Sequence, residues 1–126
     1  MSKVTKFEDL RCWQLSRILT KRVYVMSTTN ALSKDFETRS QFKKAGLSIM
    51  NNIAEGFGRF SDKDFIRFLD YSVGSCIEVK SMSYLFLDLD YFSKEEVKSF
   101  QLQVEETKAS ILAFIKYLRS KENKSE

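Results

Sequence analysis

Four stretches of this chain repeat apolar residues at the three-and-four spacing of a helix that faces a core. In the first, Cys12, Leu15, Ile18, Leu19, Val23 and Met26 share one face, while Trp13 and Tyr24 lie about a third of a turn away by the ideal pitch. Arg22 falls within that stripe, and two readings stand: it snorkels at the core's edge, or the helix meets one partner inside the chain and one beyond it. In the second stretch, Phe42, Ala45, Ile49, Ile53 and Gly56 form the apolar face, opposite a long polar strip of Gln41, Lys44, Ser48, Asn51, Asn52 and Glu55. The small residues Ala45 and Gly46 suit a close helix approach. The third carries two lines: Phe65, Phe68, Leu69, Ser72, Cys76, Val79, Ser83 and Leu87, and about 100° away Ile66, Val73, Ile77 and Tyr84. An arc that wide is buried on more than one side, either by a central position in a monomer or by self-association. The fourth runs through Val97, Phe100, Val104, Thr107, Ile111, Phe114, Ile115 and Leu118. No alternating, strand-like pattern persists anywhere.

The punctuation agrees with four helices. Asp9 can cap the first, with Glu8 and Asp9 near the positive end of its dipole. Ser27-Thr28-Thr29-Asn30 ends it. Ala31 to Glu37 connects, and Thr38-x-x-Gln41 is a possible capping box for the second helix. Around Gly56-Phe57-Gly58 the chain turns a corner: either glycine can take the left-handed conformation that ends a helix, and Ser61-x-x-Asp64 caps the next one. Ser93-x-x-Glu96 caps the fourth in the same way. Short connections predict an all-α fold, an antiparallel up-down-up-down four-helix bundle. The 126 residues suit a single domain, with 1–6 and 120–126 as flexible tails.

Composition adds limits. The absence of proline fits uninterrupted helices. Histidine is absent, which removes the commonest general base and metal ligand. Cys12 and Cys76 lie on apolar faces and read as core thiols of a reducing compartment. A phosphate-binding loop, a Cys-x-x-Cys pair and the Glu-x-x-His pairs of a di-metal bundle are all missing. Gly56-x-Gly58 lacks the third glycine and the strand of a dinucleotide fingerprint. The inventory therefore argues against an enzyme and calls for no cofactor or metal. No run is apolar enough to span a bilayer, and Met1 to Lys6 is not followed by an apolar signal region. A soluble cytoplasmic setting is expected.

The net charge is +4 and the pI about 9.1, a bias that permits contact with phosphate backbones. Arg39, Lys43, Lys44, Arg59, Lys63 and Arg67 fall on the second and third helices on either side of the corner, with Phe57 and Phe60 between them. They are the candidate contacts to nucleic acid or a partner, against the alternative of a solvated rim over core aromatics. Asn52, Glu55, Gly56, Gly58 and Ser61 are the candidate structural corner motif. Glu55 sits where its charge opposes the helix dipole, so it should pair with Arg59 or accept N–H bonds from the start of the third helix. Asn52, one turn earlier, could join such a clamp, or the trio Asn52, Glu55 and Arg59 could meet a ligand.

The run Ser48-Ile49-Met50-Asn51-Asn52-Ile53-Ala54-Glu55-Gly56-Phe57-Gly58-Arg59 closely resembles the proteins encoded by intervening sequences in bacterial 23S rRNA genes. So do Phe7-Glu8-Asp9-Leu10-x-x-Trp13, Phe65-Ile66-Arg67-Phe68-Leu69, Gly74-Ser75-x-x-Glu78 and Asp88-Leu89-Asp90-Tyr91-Phe92-Ser93. The resemblance covers Phe7 to about Leu118. The family often has proline where this chain has Met50, serine where it has Asn51, and commonly glycine where it has Asp90. The resemblance implies a four-helix bundle assembling as a homopentamer, of a kind often called ribosomal-protein-like from gene location. A similar bundle is the accessory variability protein of diversity-generating retroelements, which works with a reverse transcriptase and nucleic acid. The resemblance thus implies RNA, or a nucleic-acid-processing enzyme, as partner. The alternative is a protein–protein scaffold without nucleic-acid binding.

Overall fold

The structure, a computed structural model, describes residues 4–124. A short 3-10 turn, Phe7–Asp9, leads into α1 (Arg11–Ser27), and a second, Asn30–Lys34, leads into α2 (Phe36–Phe57); α3 (Asp62–Asp88) and α4 (Lys94–Lys124) follow. Cross-helix bonds give the topology. Thr20 donates to the Gly46 carbonyl (2.9 Å) between α1 and α2, Ser72 to the Ile49 carbonyl (2.6 Å) between α2 and α3, and Lys80 to Glu105 (2.7 Å) between α3 and α4. Arg22 on α1 reaches Gln103 on α4 (2.8 Å), which closes the ring. Every neighbour is antiparallel, so this is an all-α, up-down-up-down four-helix bundle.

Two aromatic groups fill the ends of the core. At one, Phe42 packs edge-on against Phe86 (4.8 Å) and beside Phe100 (5.7 Å), all three fully buried. At the other, Phe65 lies between Phe57 (6.0 Å) and Phe114 (5.4 Å). The apolar faces of the second and fourth stretches are buried as their spacing predicts, Phe114 in part. Two details differ. Phe86, not Leu87, is the fully buried residue near the end of α3. Ile18 is exposed, because α1 is rolled toward its small residues: Ser16, Thr20 and Ser27 are buried instead, Ser16 and Ser27 donating to a carbonyl one turn back (2.6 and 2.7 Å) and Thr20 sharing its one proton between the Ser16 carbonyl (2.8 Å) and that of Gly46. A hydroxyl satisfied by its own helix can be buried at little cost.

Helix ends supply further corrections. Leu10, not Asp9, precedes α1, and no side chain caps it. Asp35 caps α2 by accepting from the Thr38 N–H (3.3 Å), so the expected box starting at Thr38 lies one turn too late. The left-handed positions are Asn30 (φ 52°) and Asp90 (φ 57°), and no glycine has a positive φ. Asp90 thus adopts the conformation that favours glycine, which asparagine and aspartate tolerate best among other residues. Ser93 and Glu96 form a complete capping box: Glu96 N–H donates to Ser93 Oγ (3.1 Å) and Ser93 N–H to Glu96 Oε1 (3.2 Å). With Met50 in place of proline, α2 is continuous. α4 is helical through Lys124, and residues 1–3 and 125–126 of the expected tails lie outside the described residues.

Cys12 and Cys76 are buried and unpaired. Burial pushes their thiols up to about 11 and about 12, so the nucleophilic thiolate is scarce at neutral pH. The native protein is expected to resist a disulfide-exchange thiol reagent and to release both thiols only on unfolding in guanidinium. Rapid labelling of either thiol in the native state would contradict this burial.

Candidate nucleic-acid interface

α2 ends at Phe57 and the chain turns through Gly58 to Ser61 before α3 begins. Ser61 Oγ accepts from the Asp64 N–H (3.1 Å), as its position predicts. Replacing it by alanine is expected to cost about 1 kcal/mol, read as a lower guanidinium midpoint with unchanged slope; an unchanged midpoint would show the cap to be idle. Gly56 is there for space, not for backbone freedom: an added Cβ would sit 2.8 Å from both Phe65 Cδ1 and Phe68 Cβ. Gly58 follows α2 with φ −80°, and an added Cβ would find no neighbour nearer than 3.5 Å.

The polar residues of the corner form two local arrangements rather than one clamp. Asn52 donates to Ser48, both to its carbonyl and to its hydroxyl (2.8 Å each). Glu55 pairs with Arg59 (2.9 Å), the first of the two expected alternatives. Arg67 pairs with Asp64 (3.1 Å). Both guanidiniums also lie over the ring of Phe68, at 4.5 Å from Arg59 and 5.2 Å from Arg67. Lys63 is exposed and forms no ion pair among the described residues, and Phe60 beside it is fully exposed. Phe57 is half-buried against Phe65.

The six candidate cations do not meet as one patch. Arg39, Lys43 and Lys44 lie roughly 20–27 Å from the C-terminal end of α2 by its 1.5 Å rise. Arg39 donates to the Ser33 carbonyl (2.7 Å) and lies over Phe36 (4.8 Å). Lys43 sits over the ring of Tyr24 on α1 (4.7 Å), and Lys44 is exposed. The six candidates do not include the cations of α1, Arg11, Arg17, Lys21 and Arg22, of which Arg22 is turned to Gln103 of α4. One sequence signal could have found them, for α1 carries those four cations and no acidic residue.

Chemistry beyond binding finds little material. No group of His, Cys, Asp or Glu among the described residues could hold a metal ion. Two surface depressions bear on this question. One, of about 460 Å³, is lined by Glu8, Trp13, Gln14, Arg17, Ile18 and Lys21. The other, of about 260 Å³, includes Cys12, whose burial keeps the thiol protonated. The shifted carboxylates belong to structural pairs. The Tyr91 hydroxyl donates to Asp35 (2.9 Å) and holds its carboxyl below the usual range, and Lys80 and Lys108 do the same for Glu105. No helix among the described residues is long and apolar enough to cross a membrane.

The fold and its surface thus define a small antiparallel four-helix bundle with charge-bearing outer faces. The chain belongs to the 23S rRNA-intervening sequence protein family, whose pattern it matches over residues 8–113. It is similar in structure to a protein of unknown function from the S23 ribosomal protein family of Bacteroides thetaiotaomicron, at TM-score 0.75 and 23% identity, over 83% of this chain and 98% of that one. No curated protein matches it.

Proposed function

We propose that this protein is a non-enzymatic, cytoplasmic homo-oligomer, pentameric as its resemblance implies, that binds RNA or a nucleic-acid-processing partner through a basic surface. What carries the binding reading is the fully exposed Phe60 between Arg59 and Lys63. An apolar ring left wholly in water forgoes about 2 kcal/mol of burial, and a base stacked on it recovers part of that. The self-association reading is supported by the exposed Ile77 and Tyr84 on α3 and Leu102 and Leu112 on α4. The Lys80–Glu105 pair joins those two helices, and helical pitch puts Ile77, Leu102 and Leu112 on that same side.

A fluorescence-anisotropy titration against a structured RNA tests the first part. Affinity is expected at about 50 mM salt and is expected to fall steeply by about 200 mM, as counterion release requires. No binding at the lower salt would remove the nucleic-acid reading and leave the protein–protein scaffold. Light scattering at micromolar concentration tests the second part: a mass several times the 14.8 kDa protomer is expected, and a monomer would contradict it.

A further inference from the structure

Charge is segregated between the faces of this bundle. From Leu10 to Ala54, which spans α1 and nearly all of α2, eight basic residues stand against two acidic ones, a net of +6. The whole chain sums to +4, so everything outside that stretch is net −2. The corner is different: from Glu55 to Arg67 three basic residues, Arg59, Lys63 and Arg67, meet three acidic ones, Glu55, Asp62 and Asp64, and cancel. Salt screens exposed charges over about 8–10 Å. A polyanion passing the corner therefore meets Arg59 and Arg67 already paired with carboxylates and Lys63 as an unpaired cation, whereas along α1 and α2 it meets a net excess of cations, with Asp35 and Glu37 at the start of α2.

The packing of α1 on α2 turns this into a surface. The Thr20–Gly46 bond and the Lys43–Tyr24 contact set the antiparallel register. An added Cβ at Gly46 would lie 2.9 Å from Val23, so the two helices approach closely there. By helical pitch Arg17, Lys21 and Tyr24 fall within about 60° on α1, on the outer side facing away from the core. Lys43 lies across from them on α2, over the ring of Tyr24, and Lys44 is exposed about 100° further round that helix. Arg17, Lys21 and Lys44 are exposed and Lys43 half-exposed, and none is in an ion pair among the described residues. Two are steadied by rings: Arg17 lies 5.7 Å from the centre of Trp13 and Lys43 4.7 Å from that of Tyr24. A ring under a cation orients it without neutralising its charge. Glu8 is the one acidic side chain lining the depression beside Arg17 and Lys21.

We infer that RNA is held along the outer face of α1 and α2, its phosphates contacted by Arg17, Lys21, Lys43 and Lys44, with the α2–α3 corner contributing stacking rather than charge. This rests on the RNA-binding reading above and names the face that serves it. Unpaired, exposed cations suit phosphates, so the contact is assigned to the backbone and its charge.

The test compares the wild type with two variants. One carries Arg17→Gln, Lys21→Gln, Lys43→Gln and Lys44→Gln; the other carries Arg59→Gln, Lys63→Gln and Arg67→Gln. Each is titrated with a labelled structured RNA over a range of salt concentrations, with circular-dichroism melts to confirm folding. The α1–α2 variant is expected to lose at least about tenfold in affinity, and its plot of log affinity against log salt is expected to flatten by about 3, since each lost phosphate contact removes about 0.7–0.9. The corner variant is expected to keep the wild-type slope within about 1. Lys21→Arg, Lys43→Arg and Lys44→Arg together are expected to keep the affinity. A corner variant that flattens while the α1–α2 variant does not would overturn this assignment and leave RNA binding intact. Equal slopes in all three proteins would overturn it too. Absence of wild-type binding at low salt would remove the RNA reading itself, and this face with it. Polyglutamate bound as tightly as RNA would reassign the face to acidic protein.

Discussion

Phe42→Ala is expected to be among the most damaging single changes to the fold, costing about 3–5 kcal/mol. Phe42 is wholly buried, and its ring meets Phe86 edge-on at 4.8 Å and Phe100 at 5.7 Å. The substitution removes the transfer energy of the ring, leaves a cavity among large neighbours, and deletes aromatic pairings worth roughly 0.5–1.5 kcal/mol each. Three helices lose a shared anchor, because these rings come from α2, α3 and α4. At roughly 3–6 °C per kcal/mol for a domain of this size, the melting temperature is expected to fall by at least about 10 °C. A drop of only a few degrees would show that the core does not depend on this cluster.

The second large effect is expected at the corner, where two glycines that look alike in sequence should behave oppositely. Gly56→Val is expected to cost about 3 kcal/mol by overpacking. The added Cβ would lie 2.8 Å from Phe68 Cβ, an atom fixed to the backbone of α3, as well as from Phe65 Cδ1. Relief requires α2 and α3 to separate. Gly58→Ala is expected to be neutral or to stabilise by about 0.5 kcal/mol, because an L residue adopts φ −80° without strain and the unfolded chain loses freedom. Chemical denaturation of both variants reads the difference. The reverse order would mean that Gly58, not Gly56, is the position without room for a side chain.

That pair shows where the sequence was legible and where it was not. A glycine at a helix end is compatible with either a left-handed turn or a close approach, and local pattern does not separate them. The decision lay in residues nine and twelve positions on, Phe65 and Phe68, whose proximity depends on how α2 and α3 cross. Ser61 and Ser93 were legible because a cap is a contact between residues three apart. The four amphipathic faces were legible for a similar reason, since burial of a stripe follows from helical pitch alone. The roll of α1 was not: Ser16, Thr20 and Ser27 read as polar, yet each bonds within its own helix and can go inside.

The candidate interface was legible in part. The pairing of Glu55 with Arg59 was one of two expected outcomes, and it leaves Arg59 locally neutralised. Lys43 and Lys44 were singled out, but grouping them with the corner joined residues at opposite ends of α2. The stronger signal was an absence, that of any acidic residue in α1 beneath its four cations. Its meaning depends on α1 and α2 being adjacent, which is a property of the packed bundle.

Lysine footprinting on the unmodified protein reads directly whether the proposed α1–α2 face meets RNA. Acetylation with and without a structured RNA at low salt, followed by mass spectrometry, is expected to show Lys21, Lys43 and Lys44 protected while Lys98 and Lys116 on α4 stay as reactive as in the free protein. Protection confined to Lys63 or to α4, with Lys21, Lys43 and Lys44 unchanged, would contradict it.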